Sequence, residues 1–242
     1  MKLGDYELNR IYCMDCYEAI KKIPDKSVDL IVTDPPYELE TEGSKENNIS
    51  KSFANCNNQI STISDGIDLE ILDEFMRVMK KTNIYIWCNK KQIPQYLDFF
   101  VAKCKCKFEI MVWCKSNPTP LCGGNYLIDK EFCLYFRDGI KLNTTFETAS
   151  TYWVTSKNKS DKDKFAHPTI KPLYIIQNLI KNSSNVGDVV FDPFIGSGTT
   201  AVACKNIGRN YIGFEINPKW AKIAEDRLNN IDANGQMSLF TF

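Results

Sequence analysis

The stretch Phe191-Asp192-Pro193-Phe194-Ile195-Gly196-Ser197-Gly198-Thr199-Thr200 reads as the end of a strand, a tight glycine turn and the start of a helix. Its two glycines allow a ligand to approach the backbone closely, and the first helical turn offers free N–H groups to an anion. Around this stretch the pattern alternates, with helices predicted at 172–182, 199–206 and 218–229 and strands at 188–191 and 211–214. Strands alternating with helices imply an α/β, doubly wound, largely parallel sheet covered on both faces. Glu215 closes the later strand, 19 residues beyond Gly196. A carboxylate there can accept hydrogen bonds from ribose hydroxyls.

Towards the amino terminus, 8–12 reads as a short strand, and Asp15 is placed to cap a helix running to about residue 22. The apolar run 28–33 is the next strand and ends in Asp34-Pro35-Pro36-Tyr37. Two prolines cannot continue a ladder. A carboxylate, a rigid backbone and an aromatic ring at a strand's carboxyl end suit the binding of a flat base by its amino group. Residues 38–64, rich in Asn, Ser, Glu and Lys, read as a long mobile loop. Helical spacing follows over 68–80 and 92–101, with a strand at 83–88. Strands at 108–114 and 131–136, joined by a turn bearing Pro and Gly, read as an antiparallel pair at a sheet edge. Residues 139–166 read as irregular and carry Lys157, Lys159, Lys162 and Lys164.

Composition sets bounds. The chain has 242 residues, a length that fits one domain spanning 1–242. Lys+Arg and Asp+Glu are equal at 30 each, so any contact with a polyanion must come from a local basic face. Ten cysteines without an apolar leader point to a reducing, cytoplasmic setting. The only histidine is His167, and neither Cys13/Cys16 nor Cys104/Cys106 has a second pair at zinc spacing, so no metal is expected. No apolar stretch reaches the ~20 residues that span a bilayer, so no membrane is expected either.

Gly196-x-Gly198-x-x-Ala201 also fits the loose dinucleotide fingerprint, which keeps a nicotinamide-dependent oxidoreductase open. Asp192 argues against it. A carboxylate just before the glycine turn repels a pyrophosphate but favours a cofactor bearing an ammonium and a sulfonium, namely S-adenosyl-L-methionine.

Asp34-Pro35-Pro36-Tyr37, taken with the loop from Asp192 to Thr200, resembles the DNA amino-methyltransferases, in the order of their circularly permuted beta class. His167-Pro168-Thr169-Ile170-Lys171-Pro172 is similar to that family's further cofactor motif, which implies cofactor roles for His167, Thr169 and Lys171. Asp15 matches the acidic position near the cofactor's adenine, and Trp113-Cys114-Lys115 with Asn117 resembles a later strand and loop. The likeness covers nearly the whole chain outside 38–64 and 138–165. It implies a mostly parallel, seven-stranded, Rossmann-like methyltransferase sheet with an antiparallel edge, in which the strands of Asp34 and Asp192 are central neighbours. The cofactor is then held by Asp15 and by Phe191, Asp192, Pro193, Phe194, Gly196, Ser197, Gly198, Thr199, Thr200 and Glu215.

The same resemblance implies an adenine-N6 methyltransferase acting on DNA in a bacterial or phage-like cytoplasm. Acceptors at Asp34 and the Pro35 carbonyl hold a flipped-out base by its amine, and Tyr37 stacks on it. Cytosine-N4 methylation is the alternative, although that specificity more often resembles a serine in place of Asp34. Residues 138–165 occupy the target-recognition position, where Tyr152, Trp153 and Phe165 interleave with lysines. In a chain that resembles this family, so short a region implies a homodimer. In the tail 231–242, Gln236, Leu239 and Phe240 are similar to the peptide by which bacterial replication proteins dock on the sliding clamp.

Overall fold

The apolar runs at 30–33 and 189–192 are buried along their whole length, as strands covered on both faces of a parallel sheet must be. The computed structural model describes residues 1–37, 66–118, 126–156 and 170–229. A small antiparallel hairpin, β1 (Lys2–Leu3) with β2 (Tyr6–Glu7), precedes the main sheet. The elements that follow are β3 (Arg10–Cys13), α1 (Cys16–Ala19), β4 (Leu30–Thr33), α2 (Ile71–Val78), β5 (Asn83–Cys88), α3 (Ile93–Leu97), β6 (Lys107–Lys115), β7 (Lys130–Arg137) and β8 (Tyr152–Thr155). Then come α4 (Leu173–Ser183), β9 (Val189–Asp192), α5 (Thr199–Asn206), β10 (Asn210–Glu215) and α6 (Pro218–Asn229).

The main sheet runs in the order β3-β10-β9-β4-β5-β7-β6-β8. β7 alone runs against the others, pairing antiparallel with β5 and β6. The mostly parallel sheet with an antiparallel edge is therefore as expected. β4 lies beside β9, with Leu30 opposite Val190 and Ile31 opposite Phe191. The strands that lead to Asp34 and Asp192 are the central neighbours.

Alternation along the strands sends neighbouring residues to opposite layers. Ile31, Ile86, Phe191 and Phe214 join Phe75 and Phe100 on one face. Val32, Trp87 and Val190 join Ile175, Leu179 and Ala203 on the other. Each large apolar side chain buried this way contributes roughly 1.5–3 kcal/mol.

Two elements differ from the sequence reading. The helix expected over 92–101 is α-helical only through α3 and then widens into a π-turn over Asp98–Lys103. Both Tyr96 and Phe100 are fully buried, and Phe100 stacks on Phe136 with ring centroids 4.4 Å apart. The second difference is an eighth strand. Four residues of the segment read as irregular form β8, which adds parallel to β6 with Trp113 opposite Trp153. The β-prone run Tyr152-Trp153-Val154-Thr155 explains this, and the Trp113 indole N–H locks it by donating to Thr155 Oγ1 at 2.8 Å. Trp153, expected as a DNA contact, instead packs on the core, whereas Tyr152 is 63% exposed.

Among the described residues no helix is long and apolar enough to cross a membrane, and no cluster of His, Cys, Asp and Glu suits a metal ion. The loop 38–64, His167, Thr169, Phe165 and the four lysines of 157–164 lie outside the described residues, as do Gln236, Leu239, Phe240 and the rest of the tail.

Gly213, on β10 opposite Asp192, shows how tightly the glycine turn seats on the sheet. A Cβ there would lie 2.1 Å from Ile195 Cδ1 and 3.0 Å from Ile195 Cβ. Gly213→Ala is expected to lose about 1–3 kcal/mol of stability by overpacking. Urea unfolding with an unchanged midpoint would contradict this seating.

Candidate active site

A cleft of about 670 Å³ opens at the carboxyl ends of β4 and β9. This is the position at which a doubly wound sheet binds ligands, because the connections leave the two strands in opposite directions. Of the residues singled out in the sequence, Asp15, Asp34, Pro35, Pro36, Tyr37, Lys171, Asp192, Pro193, Phe194, Gly196, Ser197, Thr199, Thr200 and Glu215 all line it. Two do not. Phe191 points into the core against Phe214, ring centroids 5.6 Å apart. Gly198 adopts φ 81° just before α5 and lies where a Cβ would meet Ala224 Cβ at 2.8 Å, so its role is close packing.

Local hydrogen bonds preset the glycine turn. Asp192 accepts from the Phe194 N–H at 3.1 Å and from the Thr200 hydroxyl at 2.7 Å. Glu215 accepts from the Gly196 N–H at 3.0 Å and the Asn217 N–H at 2.8 Å, one on each oxygen. Each oxygen retains a lone pair for a ligand. Buried Arg227 of α6 donates to the Ser197 carbonyl and hydroxyl and to Thr199 Oγ1. Asp15 caps α1, accepting from the Tyr17 N–H at 2.8 Å, and also lines the cleft.

Burial drives the Asp192 carboxyl up to about 7, against the pull of its Thr200 and Phe194 donors. Glu215 is raised too, again chiefly by burial. These two carboxylates lack a cationic partner among the described residues. Together with Asp15 and the walls formed by Tyr17, Phe194, Ile216 and Trp220, they fit a ligand that carries a positive charge, ribose hydroxyls and a flat ring.

The other end of the cleft is built differently. Asp34 Oδ2 is paired with the Lys171 ammonium, while Asp34 Oδ1 is buried with no hydrogen-bond partner among the described residues. Lys171, expected beside the cofactor, thus stands at the Asp-Pro-Pro-Tyr segment. Its Nζ also lies 3.0 Å from Glu131 Oε2 and 3.3 Å from the Tyr37 hydroxyl. Burial raises the Asp34 carboxyl, Lys171 opposes that, and Glu131 adds to it. Burial alone would depress the Lys171 ammonium, but Asp34 and Glu131 outweigh it and raise it. The same balance favours charge on Glu131, where Lys171 and Lys115 overcome burial and hold the carboxyl at about 2. Buried Gln92 donates to the Pro36 carbonyl at 3.1 Å and anchors the proline pair.

Glu131 and Lys115 were given no site role in the sequence reading, nor were Gln92 and Arg227. One signal for the first two was available: opposite charges at the paired ends of strands expected to lie antiparallel. Gln92 and Arg227 carry no such local sign.

The comparisons with known proteins agree with this geometry. A family model described as DNA methylase matches residues 28–226, a span holding both the Asp34 and the Asp192 segments. The chain is 31% identical to the type II methyltransferase M.HinfI of Haemophilus influenzae, over 94% of this chain and 70% of that protein. It is 29% identical to the type II methyltransferase M2.LlaDCHI of Lactococcus lactis subsp. cremoris, over 89% and 87%. Among solved structures, the M1.HpyAVI-SAM complex superposes with a TM-score of 0.68 at 28% identity, covering 91% of this chain and 98% of that one. The cytosine-N4-specific PvuII DNA methyltransferase gives a TM-score of 0.70 at 16% identity, over 93% and 86%, a likeness of fold alone. With its two motif segments lining one cleft and inside the matched span, the chain belongs to the DNA methylase family.

Proposed function

We propose that this protein transfers a methyl group from S-adenosyl-L-methionine to the exocyclic N6 amine of adenine in DNA. The observation that carries the reading is the buried Asp34 Oδ1, a hydrogen-bond acceptor without a partner among the described residues, in the same cleft as the acidic glycine turn. A buried acceptor without a donor is costly, and a base amine supplies the donor.

When bound, S-adenosyl-L-methionine supplies an electrophilic methyl on a positively charged sulfur. The acidic end of the cleft, Asp192, Glu215 and Asp15, would hold such a cation and its hydroxyls, and Tyr17, Phe194 and Trp220 would take its ring. At the other end the base amine is a weak nucleophile because its lone pair is delocalised into the ring. Asp34 Oδ1 takes one N–H and the Pro35 carbonyl the other, which favours a tetrahedral nitrogen as charge develops. Tyr37 covers the base face. Lys171 on Oδ2 opposes the burial that raises the Asp34 carboxyl and so favours the carboxylate form that acts as an acceptor. The target base must leave its stack to reach this depth, at a cost of a few kcal/mol.

Asp34→Ala is expected to lower transfer by roughly 10²–10³-fold or more while leaving donor affinity nearly intact. Mapping modified bases in DNA from cells expressing either form tests both the activity and the base. N6-methyladenine at one sequence, absent with the variant, is the expected result. N4-methylcytosine instead would overturn the choice of base, and modification that persists in Asp34→Ala would overturn the assigned role.

Asp192 gives a pH test. Its ionised form is the one that receives a cation, so its contribution to donor binding should grow about tenfold from pH 6 to 8 as it deprotonates through about 7. In Asp192→Asn that tenfold gain should be absent, while the other groups of the site and the donor contribute alike to both profiles. Calorimetric binding profiles of the same slope in both proteins would exclude Asp192 from the cation site.

The homodimer and the clamp-docking tail also stand as proposals. Light scattering should give twice the 27.7 kDa chain mass, and clamp capture should disappear on removal of residues 235–242. A monomer mass, or capture unchanged by truncation, contradicts them.

A further inference from the structure

Glu131 stands at the start of β7, opposite Trp113, outside every motif by which the site was recognised. Its carboxylate nonetheless gathers the acceptor end of the cleft. Oε1 takes Lys115 Nζ at 2.5 Å, and Oε2 takes Lys171 Nζ at 3.0 Å and the Tyr37 hydroxyl at 3.4 Å. Lys171 continues to Asp34 Oδ2. Both side chains of the Asp-Pro-Pro-Tyr segment that bear on the base are therefore tied to one carboxylate, Tyr37 directly and Asp34 through a single lysine.

Three of the four charged side chains are nearly dry, and Asp34, which faces the cleft, is 28% exposed. The side chains of Lys171, Glu131 and Lys115 are 6%, 12% and 12% exposed. Two lysines balance two carboxylates, so the set carries no net charge. Buried ion pairs of this kind are often no more stabilising than well-packed apolar residues, which makes stability a weak reason for four charges here. Geometry is a stronger one. A lysine held only by Asp34 could swing with it and reach either oxygen. A second anchor on Glu131, itself braced by Lys115, fixes the ammonium on Oδ2 and leaves Oδ1 for the incoming amine.

We propose that Glu131 is a positioning residue for methyl transfer: braced by Lys115, it fixes Lys171 and the Tyr37 hydroxyl so that Asp34 presents Oδ1, and Tyr37 its ring, to one base. This rests on the functional reading above. Glu131 itself touches neither the base nor the methyl donor in this account.

The full chain with Glu131→Gln keeps the side chain's shape but cannot balance both lysines. Single-turnover methyl transfer is expected to fall about 10–100-fold, with the donor's dissociation constant unchanged within twofold. Tyr37→Phe removes the same hydroxyl contact from the other side, so the double variant should lose less than the product of the two single losses. Lys115→Met should give a smaller loss in the same direction, and it decides the matter if Glu131→Gln does not fold. A second readout needs no turnover: the Lys171 ammonium should give a slowly exchanging ¹H–¹⁵N signal in the ligand-free parent that vanishes in Glu131→Gln. Rates within twofold of the parent, or fully independent losses with Tyr37→Phe, would overturn the proposal. A parent that methylates no DNA would overturn the functional reading, while the ammonium signal would still judge the positioning contact.

Discussion

Everything at the site depends on the parallel pairing of β4 with β9. Leu30 and Ile31 lie against Val190 and Phe191, so the two chains emerge side by side at the carboxyl edge of the sheet. Neighbouring strands are about 4.8 Å apart, and one strand interposed would double that gap. From this pair the sheet grows outward in both directions, through β5 on one side and β10 on the other. The loops that carry Asp34 and Asp192 consequently diverge and leave a crevice between them. Segments far apart in the chain become two walls of one cleft.

The two walls handle charge in different ways. Asp192 and Glu215 are satisfied by backbone N–H groups and a hydroxyl, and burial raises both carboxyls. A cationic ligand is what relieves such a site. Asp34 already has its cation in Lys171. Its remaining oxygen is suited to a neutral N–H donor, because the ion pair is complete without the ligand. One end therefore favours a positively charged donor and the other an uncharged amine, and the division follows from which carboxylate has a lysine.

Most of this was legible in the sequence because it is local. A strand, an acidic residue, two glycines and a helix start within ten residues announce a ligand loop, and two prolines after an apolar run announce a strand end. The order of β4 and β9 came from family resemblance and not from any pattern within either strand. What could not be read arises from contacts across long sequence separations. Glu131 and Tyr37 meet over 94 residues, and Lys171 and Asp34 over 137. Lys171 was assigned to the cofactor because its motif travels with cofactor residues, yet its chain length and the nearby β7 carboxylate bring it to the acceptor end. β8 was hidden for another reason: four residues between polar stretches become a strand only when β6 offers an edge.

The central claim, that one cleft holds donor and base together, is tested most directly by a bisubstrate analogue in which an adenine is tethered through N6 to the 5′ position of the donor's adenosine. If the claim holds, the analogue competes with the donor and loses affinity in both Asp34→Ala and Glu215→Gln. An analogue that binds through Glu215 alone, indifferent to Asp34→Ala, would contradict it.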